Sequence, residues 1–454
     1  MNESFARGLA MILTIVAYLL IVVAGVVGAS TEDIVAGLVV LTAGLVFIRV
    51  FARRASLEYG QWLATMCQIA FVIRVIVATI IYAGPWDRYM FGEDQYGYDY
   101  IPHSIMRYWN GETGQPPVLL DPRVTGRIGY YYLVSALYYF VTPGLLGPRV
   151  LNCLAGALMV YYAFRLATVV FGRAEGRVAA VWTTVFPSLI IWSSLNMRDI
   201  WLALSVVVIV WHAVAIRVRM SFISLAVIAG HFAWIQYNRS YLVLIMFAAT
   251  LGIFLLARGQ SLGRDFIMGG ALLGVLAILR FGLGYGQEGM TWLDLDRVTQ
   301  QRDVLARTDV GASGYLPGLQ LSNPVVLVSA FPLLLSYFLF SPFPWQMLSA
   351  RRLITLPEMV MWYWMVPFLL RGFRDVLRER VGRQISVLVP IFIITSAYAI
   401  SSANMGLAYR YRAQVIVLYL VFVSAGYVRK KTQVMTAAHA RMAPGLALQR
   451  ARST

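Results

Sequence analysis

Hydrophobic residues occur in long runs along most of this chain, and the runs recur from Gly8 to Tyr427. A helix of about 20 apolar residues crosses the ~30 Å hydrocarbon layer of a membrane and bonds all of its own backbone groups. The pattern therefore predicts an all-α, polytopic transmembrane helix bundle. The predicted spans are residues 8–29, 33–50, 61–84, 148–171, 178–195, 200–216, 221–237, 240–257, 265–283, 355–370, 384–402 and 411–428.

Two further apolar runs are less regular. Residues 128–144 are short and rich in tyrosine, which prefers the membrane–water interface, so we expect an interfacial segment there. Residues 323–345 contain Pro332, Pro342 and Pro344, which disfavour a single straight span. About 12 spans result when both runs are left out, and 14 when both cross.

Arginine clusters favour the lower count. Cytoplasmic loops carry an excess of basic residues, and Arg49, Arg53 and Arg54 follow the second predicted span, which places the N-terminus inside. Twelve spans keep the arginine clusters inside, whereas fourteen move six arginines outside. The predicted organisation is one transmembrane domain at residues 1–431, with external loops at 85–127 and 284–322, and a basic cytoplasmic tail at 432–454.

Composition narrows the class of protein. The chain is 59% hydrophobic and 13% charged, against roughly 25% charged residues in an average soluble domain. Its net charge of +17 is divided into short clusters between spans, which is typical of topology signals rather than of a nucleic-acid surface. Cys67 and Cys153 lie in hydrophobic runs and do not indicate a disulfide framework.

Charged residues collect at the ends of spans that this topology places outside. The first external loop contains FGEDQYGYDY (91–100), with three acids and three tyrosines in ten residues. Charges near a membrane are costly unless they face a partner or a polar cavity, so they are candidates for function. The further candidates on the external side are Arg198, Asp199, Arg239, Arg280, Arg410 and Arg412.

Arginine, carboxylate and tyrosine side chains together are suited to binding a phosphate and a sugar. A guanidinium group binds a phosphate through paired hydrogen bonds. A nearby carboxylate can accept the proton of an attacking hydroxyl, and Tyr96 and Tyr98 offer flat rings and hydroxyl groups to a sugar. A divalent metal ion stays open as a cofactor, with Asp94 and His103 as weak candidate ligands, although a single loop histidine is more often structural.

The first loop also resembles a known class. GEDQYGYDYIPHSIMRYWNGE (92–112) is similar to the acid pair, tyrosine and Trp-x-Gly turn of the GT-C membrane glycosyltransferases, family 39 in particular. Residues 127–173 resemble the interfacial helix, arginine and long helix that follow in that class, and 186–204 resemble the next pair of spans. The resemblance implies that Asp94 is the catalytic acid of the first loop, with Glu93 as its alternative, and that Asp199 is the second-loop acid.

The position of Asp199 alone supports a second interpretation, since an acid at that point also stabilises a helix N-terminus.

The resemblance implies an enzyme that moves a sugar from a polyprenyl-phosphate-linked donor to a lipid-linked glycan or other acceptor on the external face. The expected location is the bacterial inner membrane. An O-antigen-type polysaccharide polymerase or ligase is the first alternative, and a transporter or flippase of lipid-linked glycans is the second.

Overall fold

The computed structural model describes residues 3–55, 60–84, 92–114, 128–256, 270, 274, 294–307, 313–347, 353–378 and 382–451. Regular structure in these residues is α-helical, apart from a 3-10 turn at Pro344–Gln346 and one isolated β-bridge between Gly314 and Asn404. The all-α prediction is confirmed for the described part of the chain.

The helices are numbered in chain order. They are α1 Glu3–Val26, α2 Thr31–Ala55, α3 Gly60–Ala83, α4 Gly92–Trp109, α5 Ile128–Phe140, α6 Leu146–Val170, α7 Arg173–Val185, α8 Pro187–Ser193, α9 Asp199–Val218, α10 Phe222–Asn238, α11 Ser240–Leu256, α12 Leu295–Arg307, α13 Pro324–Phe340, α14 Leu356–Arg378, α15 Ile385–Ser401 and α16 Met405–Ala451.

Six of the described helices are long and apolar enough to cross a membrane, namely α1, α2, α3, α6, α9 and α16. Three more, α11, α13 and α15, are apolar but have 17 residues each, or roughly 26 Å at 1.5 Å per residue. The chain is an integral membrane protein. The count of about 12 spans, its alternative of 14 and the external side stay predictions.

The tyrosine-rich run forms a short helix. α5 has 13 residues and is therefore roughly 20 Å long, less than the ~30 Å of a hydrocarbon layer. α4 packs against it. This length supports the expectation that residues 128–144 do not cross the membrane.

Proline ends a helix in one predicted span and lies inside a continuous helix in another apolar run. The predicted span at residues 178–195 is divided into α7 and α8, because Phe186 is extended (φ −68°, ψ 120°) before Pro187, and a proline ring disfavours the helical conformation in the residue before it. Pro332 instead lies inside the continuous helix α13. This helix ends at Phe340, before Pro342 and Pro344, so residues 323–345 do not form one continuous helix. The expectation that they do not cross the membrane stays a prediction.

Two buried clusters form the core. One joins α1, α2 and α3 to α6, and the other surrounds α9 and α16. In the most apolar part of each helix, 89% of the residues of α16 are buried, against 22% of those of α1, so α16 is central and α1 is peripheral. Because α9 and α16 contact each other, the residues that begin these two helices can meet.

Glycine allows α14 and α16 to pack closely. A Cβ atom on Gly372 would lie 2.3 Å from the carbonyl oxygen of Phe422, and one on Gly426 would lie 2.0 Å from that of Phe368. Small residues permit this backbone approach in membrane helices. The contact fixes α14 beside the helix that carries Arg410 and Arg412.

Candidate active site

A buried carboxylate, that of Asp199, lies at the centre of the candidate site. Asp199 begins α9 and is only 2% exposed. Its Oδ1 accepts hydrogen bonds from Arg239 Nη2 at 3.1 Å and from Gln414 Nε2 at 3.2 Å. Its Oδ2 accepts one from Arg410 Nη2 at 2.5 Å. Both carboxylate oxygens are therefore engaged by protein donors.

Aromatic rings hold two of the arginines beside this carboxylate. Arg239 is the single residue between α10 and α11, and its guanidinium carbon lies 5.0 Å from the ring centroid of Tyr411 and 5.7 Å from that of Tyr241. The guanidinium carbon of Arg410 lies 5.9 Å from the ring centroid of Trp192. Ring faces attract guanidinium groups, so these contacts fix both side chains at Asp199.

A third arginine completes the group. Arg198 is buried and donates through Nη1 to the carbonyl oxygen of Asn238. We refer to Arg198, Asp199, Arg239 and Arg410 as the arginine–aspartate cluster. Among the described side chains this cluster holds three guanidinium groups and one carboxylate. Guanidinium groups gathered in this way can bind an anion.

Helix α4 of the first loop adjoins this cluster through Asn196. The backbone N–H of Asn196 donates to Gln95 Oε1 at 3.1 Å, and Asn196 Nδ2 donates to the carbonyl oxygen of Tyr98 at 3.1 Å. The Tyr130 hydroxyl donates to Asn196 Oδ1 at 2.8 Å. Asn196 lies three residues before Asp199, so these bonds tie the first loop to the start of α9.

Asn152 on α6 fixes the loop between α8 and α9, which also contains Asn196. Asn152 Nδ2 donates to the carbonyl oxygens of Leu195 at 2.7 Å and Met197 at 3.0 Å, and Asn152 Oδ1 accepts from Trp201 Nε1 at 2.7 Å. Asn152 is fully buried. The short loop between α8 and α9 is thus held by side-chain bonds from both of its sides.

The predicted first-loop acids occupy the first turn of α4. Glu93 and Asp94 follow Gly92, the first residue of that helix, and their side chains lie outside the described part of the structure. The next residue, Gln95, contacts Asn196. The backbone that carries the acids therefore lies beside the arginine–aspartate cluster, and their catalytic role stays a prediction.

The two tyrosines proposed for a sugar lie on opposite sides of α4. Tyr98 is 1% exposed, and its ring centroid is 5.3 Å from that of Tyr130 and 5.4 Å from that of Tyr131. Tyr96 is 69% exposed. Positions two apart in a helix point about 200° from each other, so only Tyr96 offers its ring to an outside molecule.

Arg412 lies in a different buried ion pair. Its Nη2 donates to Glu358 Oε1 at 3.3 Å, and its Nη1 donates to the carbonyl oxygens of Leu339 and Ser341 at 2.9 Å each. Glu358 Oε2 accepts the backbone N–H of Ser188 at 2.8 Å. The pair thus joins the end of α13 to the starts of α8, α14 and α16, and it lies apart from Asp199.

The remaining predicted residues are placed as follows. Arg280 lies outside the described residues. His103 Nε2 is 3.5 Å from Asp99 Oδ1, which also accepts from the Tyr138 hydroxyl at 2.6 Å. Burial raises the pKa of Asp99, but the hydrogen bonds from His103 and Tyr138 outweigh it and leave that pKa below its ordinary value.

No group of three His, Cys, Asp or Glu side chains that could hold a metal ion occurs among the described residues. Because the Asp94 side chain is not among them, the weak prediction of a metal at Asp94 and His103 stays a prediction. Gln414 and Asn196 are site residues that the sequence did not single out. Gln414 had a signal, since it follows Arg410 by four residues and so shares its helix face.

The fold is similar to that of solved membrane oligosaccharyltransferases. The apo oligosaccharyltransferase of Archaeoglobus fulgidus matches with a TM-score of 0.50 at 14% identity, over 85% of this chain and 52% of that one. The archaeal oligosaccharyltransferase AglB of the same organism, in complex with an inhibitory peptide and a dolichol-phosphate, gives 0.49 at 14% identity with the same coverage.

No protein-family model and no curated protein matches the sequence. The chain spans about half the length of its solved neighbours, and at this identity the likeness concerns the fold. It supports the GT-C fold. The finer assignment to family 39 stays a prediction.

Proposed function

We propose that this protein is a membrane glycosyltransferase that moves a sugar from a polyprenyl-phosphate-linked donor to a glycan or other acceptor. The arginine–aspartate cluster carries the proposal. Arg239 and Arg410 share the carboxylate of Asp199, with Arg198 next to it in the chain, beside the helix that bears Glu93 and Asp94. A cationic group next to two acids has the parts that such a transfer needs, which are an anion site and a base.

The arginines act on the leaving group. Transfer breaks the bond between the anomeric carbon of the sugar and a phosphate oxygen, and the electron pair stays on that oxygen. Guanidinium donors fixed where this negative charge develops stabilise the transition state. Arg239 and Arg410 are held in place before the lipid arrives by Asp199 and by their aromatic partners.

The first-loop acids act on the acceptor. Asp94, or Glu93 in its place, accepts the proton of the acceptor hydroxyl while the oxygen forms a bond with the anomeric carbon. Asp199 is less suited to this step, because both of its oxygens already accept hydrogen bonds and its surface is 2% exposed. In this proposal Asp199 positions the arginines. Inversion or retention at the anomeric carbon is left open.

One observation favours a second candidate function. The solved neighbour with the higher TM-score is named an oligosaccharyltransferase, a name that describes transfer of an assembled glycan. Movement of a whole lipid-linked chain, as in a polysaccharide polymerase or ligase, would use the same phosphate site. For both candidates we propose that the site faces outward from a bacterial inner membrane.

Transfer of a radiolabelled sugar by purified protein tests the function. The wild-type protein in detergent is supplied with a polyprenyl-phosphate-linked sugar and a lipid-linked glycan, and labelled glycan is expected. Asp94→Asn should lose transfer and keep binding of the polyprenyl phosphate. No labelled product from the wild type, or full transfer by Asp94→Asn, would overturn the proposal. A flippase would form no product.

A further inference from the structure

Two exposed tyrosines form a stacked pair on the side of α4 that lies away from Tyr98. The ring centroids of Tyr96 and Tyr100 are 5.9 Å apart and their planes differ by 8°. The two residues are 69% and 59% exposed. Because they are four residues apart, their side chains leave the same side of the helix. We call Tyr96 and Tyr100 the tyrosine platform.

The surroundings of the tyrosine platform are polar. Ser104 follows at the same spacing and bonds through its hydroxyl to the carbonyl oxygen of Tyr100 at 3.1 Å. Farther along, Arg107 pairs with Glu112 at 3.0 Å, and both side chains are about half exposed. The charged pair at the end of this helix would be costly in hydrocarbon. This side of α4 therefore suits a water-soluble group better than a lipid tail.

The opposite side of the same helix meets the candidate site. Gln95 and Tyr98 bond to Asn196, three residues before Asp199. The platform is thus continuous with the arginine–aspartate cluster through one helix, and the predicted acids lie in the turn that precedes Tyr96. The platform therefore lies on the helix that contacts the candidate site, on the side of that helix away from Gln95 and Tyr98.

We propose that the tyrosine platform binds the acceptor and that the acceptor is a carbohydrate. The C–H groups on one face of a pyranose ring are weakly positive and are attracted to the negative faces of aromatic rings. Both stacked rings are more than half exposed and so offer ring surface to a sugar unit, while the tyrosine hydroxyls can bond to sugar hydroxyls. This inference rests on the proposed function and names its acceptor class as a glycan rather than a peptide.

Binding without any donor tests the platform separately from transfer. Cellotetraose and chitotetraose, two soluble oligosaccharides with equatorial substituents, are offered to the full-length protein in detergent and followed by saturation-transfer NMR. Binding should weaken about threefold to tenfold in Tyr96→Ala and in Tyr100→Ala. Tyr100→Phe, which keeps the ring, should bind nearly as well as the wild type.

A matched control lies on the same helix. Tyr108 is 36% exposed and is not part of the platform, so Tyr108→Ala should leave oligosaccharide binding unchanged. Thermal unfolding of each variant shows whether the fold is retained.

Three results would overturn the proposal that the platform binds a carbohydrate. The first is that neither oligosaccharide binds to the wild type. The others are an equal loss of oligosaccharide binding in Tyr108→Ala, and unchanged binding in both Tyr96→Ala and Tyr100→Ala. The acceptor in the transfer assay adds a second readout, because Tyr100→Ala should raise the acceptor KM and leave the donor KM unchanged. Loss of donor binding with platform binding intact would count against the proposed function instead.

Discussion

Arg410 and Arg412 lie two residues apart at the start of one helix, and each binds a buried carboxylate, yet the two ion pairs have different surroundings. Arg412 meets Glu358 and the carbonyl oxygens that end α13, and Glu358 bonds in turn to the first turn of α8. Asp199 is instead shared by Arg410 and Arg239, with Arg198 beside it. Glu358 is thus bonded by one arginine side chain and Asp199 by two.

This difference distinguishes a structural ion pair from a candidate ligand-binding site. Burying a charge costs free energy that a partner and hydrogen bonds must offset. The Arg412–Glu358 pair is balanced within the protein and joins four helices. The arginine–aspartate cluster gathers three guanidinium groups around one described carboxylate, an arrangement that suits an anionic ligand. We infer that the Arg412–Glu358 pair holds the bundle together and that the arginine–aspartate cluster binds a ligand.

The largest expected effect is on the balanced pair. Glu358→Ala leaves Arg412 buried without its carboxylate, and removing one partner of a buried pair costs about 3 to 5 kcal/mol of stability. The measurement is the thermal unfolding of the purified protein in detergent. Glu112→Ala is the matched control, because Glu112 belongs to an exposed pair with Arg107 whose loss should cost at most about 1 kcal/mol. Equal shifts in the two variants would contradict the structural role of Glu358.

Asp199→Asn should give a smaller loss of stability, of about 2 kcal/mol, because asparagine keeps one acceptor for Arg239 or Arg410. Its effect on ligand binding sharpens the comparison. If Asp199 positions the arginines as their counter-ion, the variant should still bind a polyprenyl phosphate. If Asp199 is the catalytic base, stability should be nearly unchanged while transfer is lost. The two readouts are thermal unfolding and equilibrium binding of polyprenyl phosphate.

The smallest expected effect concerns Asp99. Its pKa is lowered in the folded protein, so its stabilising contribution is present above the unfolded value of about 3.9 and is lost as the pH falls through the folded pKa. Asp99→Asn should therefore be less stable than the wild type by about 1 kcal/mol at most near neutral pH. The difference in unfolding temperature should shrink towards pH 3. A constant difference over this range would contradict the assignment.

Much of the site follows from rules that act along the sequence. Arg239 and Arg410 stand out because they break the expected distribution of basic residues, and Asp199 stands out as an acid at the start of a span. The meeting of all three could not be derived, since it depends on which ends of α9, α11 and α16 lie together.

Helix rotation explains two of the differences from expectation. Arg410 and Arg412, like Tyr96 and Tyr98, are two positions apart and point about 200° from each other. Proximity in sequence suggested a common role in both cases, and the structure separates them. The division between α7 and α8 could have been predicted from Pro187, which disfavours a helical conformation at Phe186. Hydrophobicity alone predicted one span there.

The central claim is that the arginine–aspartate cluster binds the phosphate of a lipid-linked donor. Equilibrium binding of a polyprenyl phosphate to the wild type and to Arg410→Gln tests it directly, with the uncharged polyprenol as the control ligand. A charged hydrogen bond contributes about 1.5 to 3 kcal/mol, so the variant should bind the phosphate at least about tenfold more weakly. Equal affinity in the two proteins, or wild-type binding of the polyprenol as tight as that of the phosphate, would contradict the claim.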